Sequence, residues 1–217
     1  MTTQTVSFRL LSLLCAAVLL AGCSDVYYKA AESVGYSKRE IMLDRVENAQ
    51  EAQSDAQEQF LTAFDRFRSI VEFDGGNLEA LYDDLNGEFE QSQEAADTVH
   101  ERIAAVKDVS AALFEEWQQE LALYTNPTLK ASSARKLKET RLRYAQMIDG
   151  MEKAERRMQP VLNAFQDQVL FLKHNLNAQA IASLKGEFAS LKADIDGLMA
   201  DMQQAIARSN AFVEQLK

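Results

Sequence analysis

Four stretches of the chain repeat apolar residues at alternating steps of three and four, and this spacing restricts the folds open to it. The first seam is Met42, Val46, Ala49, Gln53, Ala56, Phe60, Ala63, Phe67 and Ile70. The second is Leu85, Phe89, Ser92, Ala96, Val99, Ile103, Val106, Ser110, Leu113 and Trp117, followed by Leu121 and Tyr124. The third is Leu137, Thr140, Tyr144, Met147, Met151, Ala154, Met158, Val161, Phe165, Val169 and Leu172. The fourth is Leu184, Phe188, Leu191, Ile195, Leu198, Met202, Ile206, Ser209, Val213 and Leu216. A mean step of about 3.5 keeps these residues on one side of an α-helix and makes neighbouring helices wind around each other. A single helix cannot bury such a stripe alone. The expected fold is therefore all-α: an elongated antiparallel bundle, a coiled coil of four long helices, over 37–217. Composition agrees, because 2 prolines and 8 glycines in 217 residues are too few for the turns of a sheet-rich domain.

The breaks between seams carry turn chemistry. Asp74-Gly75-Gly76-Asn77 is a turn, with Asn77 placed to cap the second helix. Thr125-Asn126-Pro127-Thr128 ends the second helix and starts the third. From Leu176 to Leu184 the chain advances eight residues where a continuous seam would show seven. One extra residue rotates the stripe by about 100°. A tight turn near 175–178 is the better reading, with Asn177 as cap of the fourth helix. Pro160 lies inside the third seam and is expected to remove one helical hydrogen bond and kink the helix. Gly87 and Gly150 cost helicity, yet the seams keep phase through both. Gln53, Ser92, Ser110, Thr140 and Ser209 interrupt the seams and read as packing and register features.

The first residues differ from the rest. Met1 to Arg9 is polar with one positive side chain, and Leu10 to Leu20 is apolar but too short to span a bilayer, which takes about 20 residues. Leu20-Ala21-Gly22-Cys23 follows directly and looks like the bacterial lipobox. That likeness implies a signal peptide over 1–22, cleavage between Gly22 and Cys23, and acylation of Cys23. Ser24, rather than Asp, after the cysteine implies export to the outer membrane in a Gram-negative host. Residues 23–36 would form the lipidated anchor segment, where Val26, Tyr27, Tyr28, Ala30, Ala31, Val34 and Tyr36 make an aromatic patch. Two readings of it stand: rings at a membrane interface, or rings packed on the end of the bundle. Cys15 leaves with the signal peptide, so the mature chain has one cysteine and cannot close a disulfide or build a thiolate zinc site.

Chemistry is harder to find. The net charge of −10 argues against a nucleic-acid groove. Arg135, Lys136, Lys138, Arg141 and Arg143 cluster on one helix and read as a solvated face. No glycine-rich phosphate loop is present. Neither histidine has a glutamate three residues before it, the pairing that di-metal bundles use. Asp97 and His100 share one helix face and read as an exposed surface pair. Ser132 and Ser133 have no base-bearing motif beside them. Lys173, His174, Asn175 and Asn177 form a polar cluster at the last turn, either a recognition spot or plain turn chemistry, and the second reading is preferred.

Four stretches are similar to the DUF2959 family of bacterial proteins, a domain of unknown function. They are Tyr27-Tyr28, Gly35 to Glu40, Leu113-Phe114-Glu115-Glu116-Trp117 and, most distinctive, Val169 to Ile181. The likeness spans nearly the whole mature chain. It implies one all-helical domain behind a lipoprotein signal and no established activity. The leading expectation is a non-enzymatic lipoprotein of the outer membrane facing the periplasm, acting as a scaffold. Its expected partners are the membrane, through its lipid, and other envelope proteins, with no cofactor, nucleic acid or small-molecule substrate; its oligomeric state is not fixed by sequence. The alternative is a periplasmic chaperone or carrier for amphipathic chains or lipids, motivated by the methionines and Pro160 of the third helix.

Overall fold

A computed structural model describes residues 28, 36–73, 75 and 77–217. The expected signal peptide over 1–22, the expected lipid site at Cys23 and most of the aromatic patch lie outside these residues. The described chain forms four helices: α1 (Lys38–Val71), α2 (Leu78–Glu120), α3 (Pro127–His174) and α4 (Ala178–Leu216). Each packs on two neighbours, in the cyclic order α1, α2, α3, α4 and back to α1. All four contacts are antiparallel. Lys38 reaches Glu116 while Gln59 reaches Glu88. Arg141 reaches the Phe114 carbonyl while Lys107 reaches Glu152. Arg208 reaches the Gln146 carbonyl while Lys153 reaches Asp201. Arg39 reaches the Leu216 carbonyl while Phe64 stacks on Phe188. The longest helix, 48 residues, extends about 72 Å at 1.5 Å per residue.

Seam residues fill the interior. Every member of the first seam is buried, and so are Leu137, Met147, Met151, Ala154, Met158, Val161, Phe165, Val169 and Leu172 of the third. Ser92, Ser110 and Ser209 are buried as well, and each hydroxyl donates to the carbonyl four residues earlier, on Glu88, Val106 and Ala205. A seam serine thus carries its own partner and leaves room for a close helix. Gln53 is fully buried, and neither amide atom has a partner.

The caps follow the sequence. Asn77, Asn126 and Asn177 each accept backbone N–H bonds from the first turn of α2, α3 and α4, satisfying donors that a helix start leaves open. Gly75 has φ +148°, a geometry that favours glycine. Ser37 and Glu40 form a capping box at the start of α1. The Ser37 backbone N–H and then its hydroxyl hold the Glu40 carboxyl below its ordinary range.

One expectation is refined. Helix α2 ends at Glu120, short of Tyr124, and residues 121–123 continue as a looser turn with bonds from Ala122 to Gln119 and from Leu123 to Glu120. Leu121 stays buried, whereas Tyr124 is exposed. Pro160 does not break α3: Met158 and Val161 on either side are buried in seam phase. Pro160 itself is on the exposed side, where water can take the hydrogen bond that the proline gives up.

Glycines mark where α3 and α4 cross closely. A Cβ on Gly197 would sit 2.9 Å from the Arg157 guanidinium, and one on Gly150 would sit 3.1 Å from Arg208 Cδ. Arg157 also binds the Gly197 carbonyl and Asp201. Each helix lays an arginine across a notch in the other, which explains a glycine in a helix interior where it costs about 1 kcal/mol.

Candidate functional sites

Three places could carry function. The first is the α3–α4 turn. The Asn175 side chain donates to the Phe171 carbonyl at 2.9 Å, and Asn177 Oδ1 accepts from Ala180 N at 3.0 Å. Both asparagines are thus occupied in ending one helix and starting the next. Lys173 and His174 are exposed in the last turn of α3, where basic groups meet the negative end of the helix dipole. The structure places all four residues at this end of the bundle, the two asparagines bonded to backbone and the two basic side chains exposed. Leu170, Phe171 and Leu176 are exposed beside them.

The second place is the outer α2–α3 groove. His100 does not pair with Asp97; its Nδ1 lies 2.6 Å from Glu155 on α3, and Asp97 takes a bond from Gln93. The sequence could not show this partner, because the pairing depends on how α2 and α3 register. The hydrogen bond to Glu155, then its charge, raise the His100 pKa above 6.5. A raised folded value means the pair adds stability below the unfolded pKa and loses it as pH rises through the folded one. The His100 titration followed by NMR should therefore have a midpoint above 6.5, and Glu155→Gln should return it further than Asp97→Asn does. A wild-type midpoint at or below the ordinary value would contradict the pairing. No group of three His, Cys, Asp or Glu side chains among the described residues converges as a metal set would.

The third place is the end of the bundle where α1 starts and α4 finishes. Lys38 pairs with Glu116, and Arg39 binds the Leu216 and Lys217 carbonyls. Beyond this level, among the described residues, only α2 and α3 continue, held together by Trp117 Nε1 donating to Ser133 Oγ at 2.8 Å. That bond accounts for Ser133. The overhang is about ten residues of α3, or about 15 Å. Its fork with α1 and α4 encloses an open cleft of about 650 Å³ that Trp117, Leu113 and Phe212 line together with Arg39, Glu116 and Arg143. Arg141 of the basic cluster folds back over the Phe114 ring, 5.5 Å from its centre.

Tyr28 resolves part of the aromatic patch. It is buried and its hydroxyl donates to Asp108 of α2, so this ring packs on the bundle, while Tyr36 is 61% exposed. Sequence reasoning singled out the Tyr but had no means to find Asp108, 80 residues away.

The family described as "Protein of unknown function (DUF2959)" matches residues 27–216. No curated protein and no solved structure matches the chain.

Proposed function

The chain belongs to the DUF2959 family, whose description carries no activity, and from its geometry we propose that it is a non-enzymatic scaffold lipoprotein, anchored in the outer membrane through Cys23 and facing the periplasm. The observation that supports this reading most is the solid seam: a rod about 70 Å long whose interior is filled by its own side chains. Such a rod holds its two ends at a fixed separation. The lipobox-like Leu20-Ala21-Gly22-Cys23 supplies the tether, and no helix among the described residues is long and apolar enough to cross a membrane. A second reading, a chaperone or carrier for amphipathic chains or lipids, draws on the cleft beside Trp117 and Phe212.

Metabolic labelling with a fatty acid tests the anchor. The wild-type chain should take up label and band with the outer membrane on a density gradient, and Cys23→Ser should take up none. An unlabelled wild-type chain would overturn the anchor. Crosslinking in cells should then capture other envelope proteins. Displacement of an apolar fluorescent probe from the cleft by phospholipid would favour the carrier instead.

A further inference from the structure

We propose that the α2–α3 overhang is a lipid-contacting tip: Leu123, Tyr124 and Leu129 enter the interface of a bilayer rich in anionic phospholipid, and the basic residues behind them meet its phosphates. The proposal rests on the anchored-lipoprotein reading for its geometry and on the overhang for its chemistry.

The chemistry comes first. Leu123 is 79% exposed and Leu129 56%, with Tyr124 next to them. These are large apolar side chains on the overhang, where among the described residues neither α1 nor α4 reaches far enough to cover them. A tyrosine beside leucines suits an interface with an apolar and a wet side. Just behind the tip, Lys130, Arg135, Lys136 and Lys138 are exposed, and none of the four carries an ion pair among the described residues. From Pro127 to Arg143 the chain holds six basic side chains and one acidic one, Glu139, in a protein whose net charge is −10. The facing end of α2 contributes Glu115, Glu116 and Glu120, but Glu116 is taken by Lys38. The positive charge of this chain is therefore concentrated where its apolar tip is. Basic residues near an anionic surface each add to adsorption, and a few leucines and a tyrosine suffice to seat the end.

The geometry selects the same end. Tyr28 is fixed at the level of Asp108. From Asp108 to the end of α2 at Glu120 is about 18 Å of helix, and to Leu78 at the far end about 45 Å. Cys23 precedes Tyr28 by five residues, a contour of at most about 17 Å. That leash nearly matches the distance from Asp108 to the end of α2, and the Cys23 side chain with its glyceryl group extends it, so the lipid comes close to a bilayer seated on the hairpin and falls far short of one at the α1–α2 and α3–α4 turns. The Tyr28–Asp108 bond shortens the leash from the whole anchor segment to these five residues. Leu170, Phe171, Leu176 and His174 then lie at the end away from the membrane.

The test uses the full chain extracted from membranes and reconstituted into vesicles of phosphatidylethanolamine and phosphatidylglycerol in which part of the lipid is brominated. An environment-sensitive fluorescent amino acid is encoded at Leu123, or at Asp83 near the other end. Emission at position 123 should be quenched at least twofold and shift to the blue, and emission at position 83 should not change. Replacing Lys130, Lys136 and Lys138 with Glu, all exposed and so compatible with folding, should abolish most of the quenching, as should Tyr124→Asp with Leu129→Asp. Circular dichroism confirms that the variants remain helical. Equal quenching at both positions, or none at 123 in protein that sediments with the vesicles, would overturn the tip. Crosslinking of position 123 to a protein in cells, without quenching in vesicles, would overturn it in favour of a protein dock. Mass analysis of Cys23 in the same sample reports the acyl group separately, so a failed anchor is distinguishable from a failed tip.

Discussion

Phe67→Ala is expected to lower the stability of the bundle by about 3–5 kcal/mol, the cost of removing a large ring from a closed core. Phe67 is fully buried on α1. Its ring lies edge-on to Phe165 of α3, 6.5 Å between centres, and stacks on Phe188 of α4 at 6.1 Å. Phe64 stacks on the same Phe188 at 5.2 Å. One ring therefore joins three helices, α1, α3 and α4. Truncation leaves a void lined by Phe165 and Phe188 that the long helices cannot close without moving as units, so the loss should approach the upper part of the range. Urea unfolding followed by helical circular dichroism measures it, with Phe171→Ala, at a partly exposed ring, as the comparison expected to change stability by less than about 1 kcal/mol. Similar losses for both would mean that the Phe67 contact does not form in solution.

The same cluster shows why much of this fold was readable. Phe165 and Phe188 belong to stripes offset by one residue, and that slip, with Asn175 and Asn177 beside it, points to the turn between them. A period of seven leaves the helix few choices, and asparagine before each of α2, α3 and α4 made the starts explicit. The Ser37-Lys38-Arg39-Glu40 capping box carried an equally clear signal that the sequence reading did not use. What could not be read were relations set by the rotation and level of one helix against another. Spacing pairs His100 with Asp97 because it reveals only neighbours on the same helix, whereas its partner Glu155 is 55 residues away. The Tyr28–Asp108 bond, the arginines lying over Gly150 and Gly197, and the overhang of α2 and α3 past Lys38 and Leu216 are of the same kind. The apolar spacing runs on through Leu121 and Tyr124, past the end of α2 at Glu120, where among the described residues neither α1 nor α4 is present to support another turn.

Gln53 gives the second large effect, of opposite sign. Three of the polar groups that interrupt the seams are buried serines, each bonded to its own helix; a glutamine amide is too long for that arrangement. Gln53 is fully buried between Ala49 and Ala56, with both amide atoms unpartnered. A buried polar group without a hydrogen bond costs about 1–3 kcal/mol. Gln53→Met, which preserves the volume, should therefore raise stability by a similar amount, seen as a higher urea midpoint. From sequence this residue reads as a register device, and the structure makes a separate argument about that role. Turns of a few residues join the helices at 72–77, 121–126 and 175–177, and Phe67, Phe165 and Phe188 interlock three of them. A slip of α1 by one heptad would break that cluster and the Lys38–Glu116 pair together, so the register is held without Gln53. The slope of the urea transition should then stay unchanged in Gln53→Met, because the same surface is exposed on unfolding. A higher midpoint with a shallower slope would restore Gln53 to the register role, and a lower midpoint would show that its amide is hydrogen-bonded in solution.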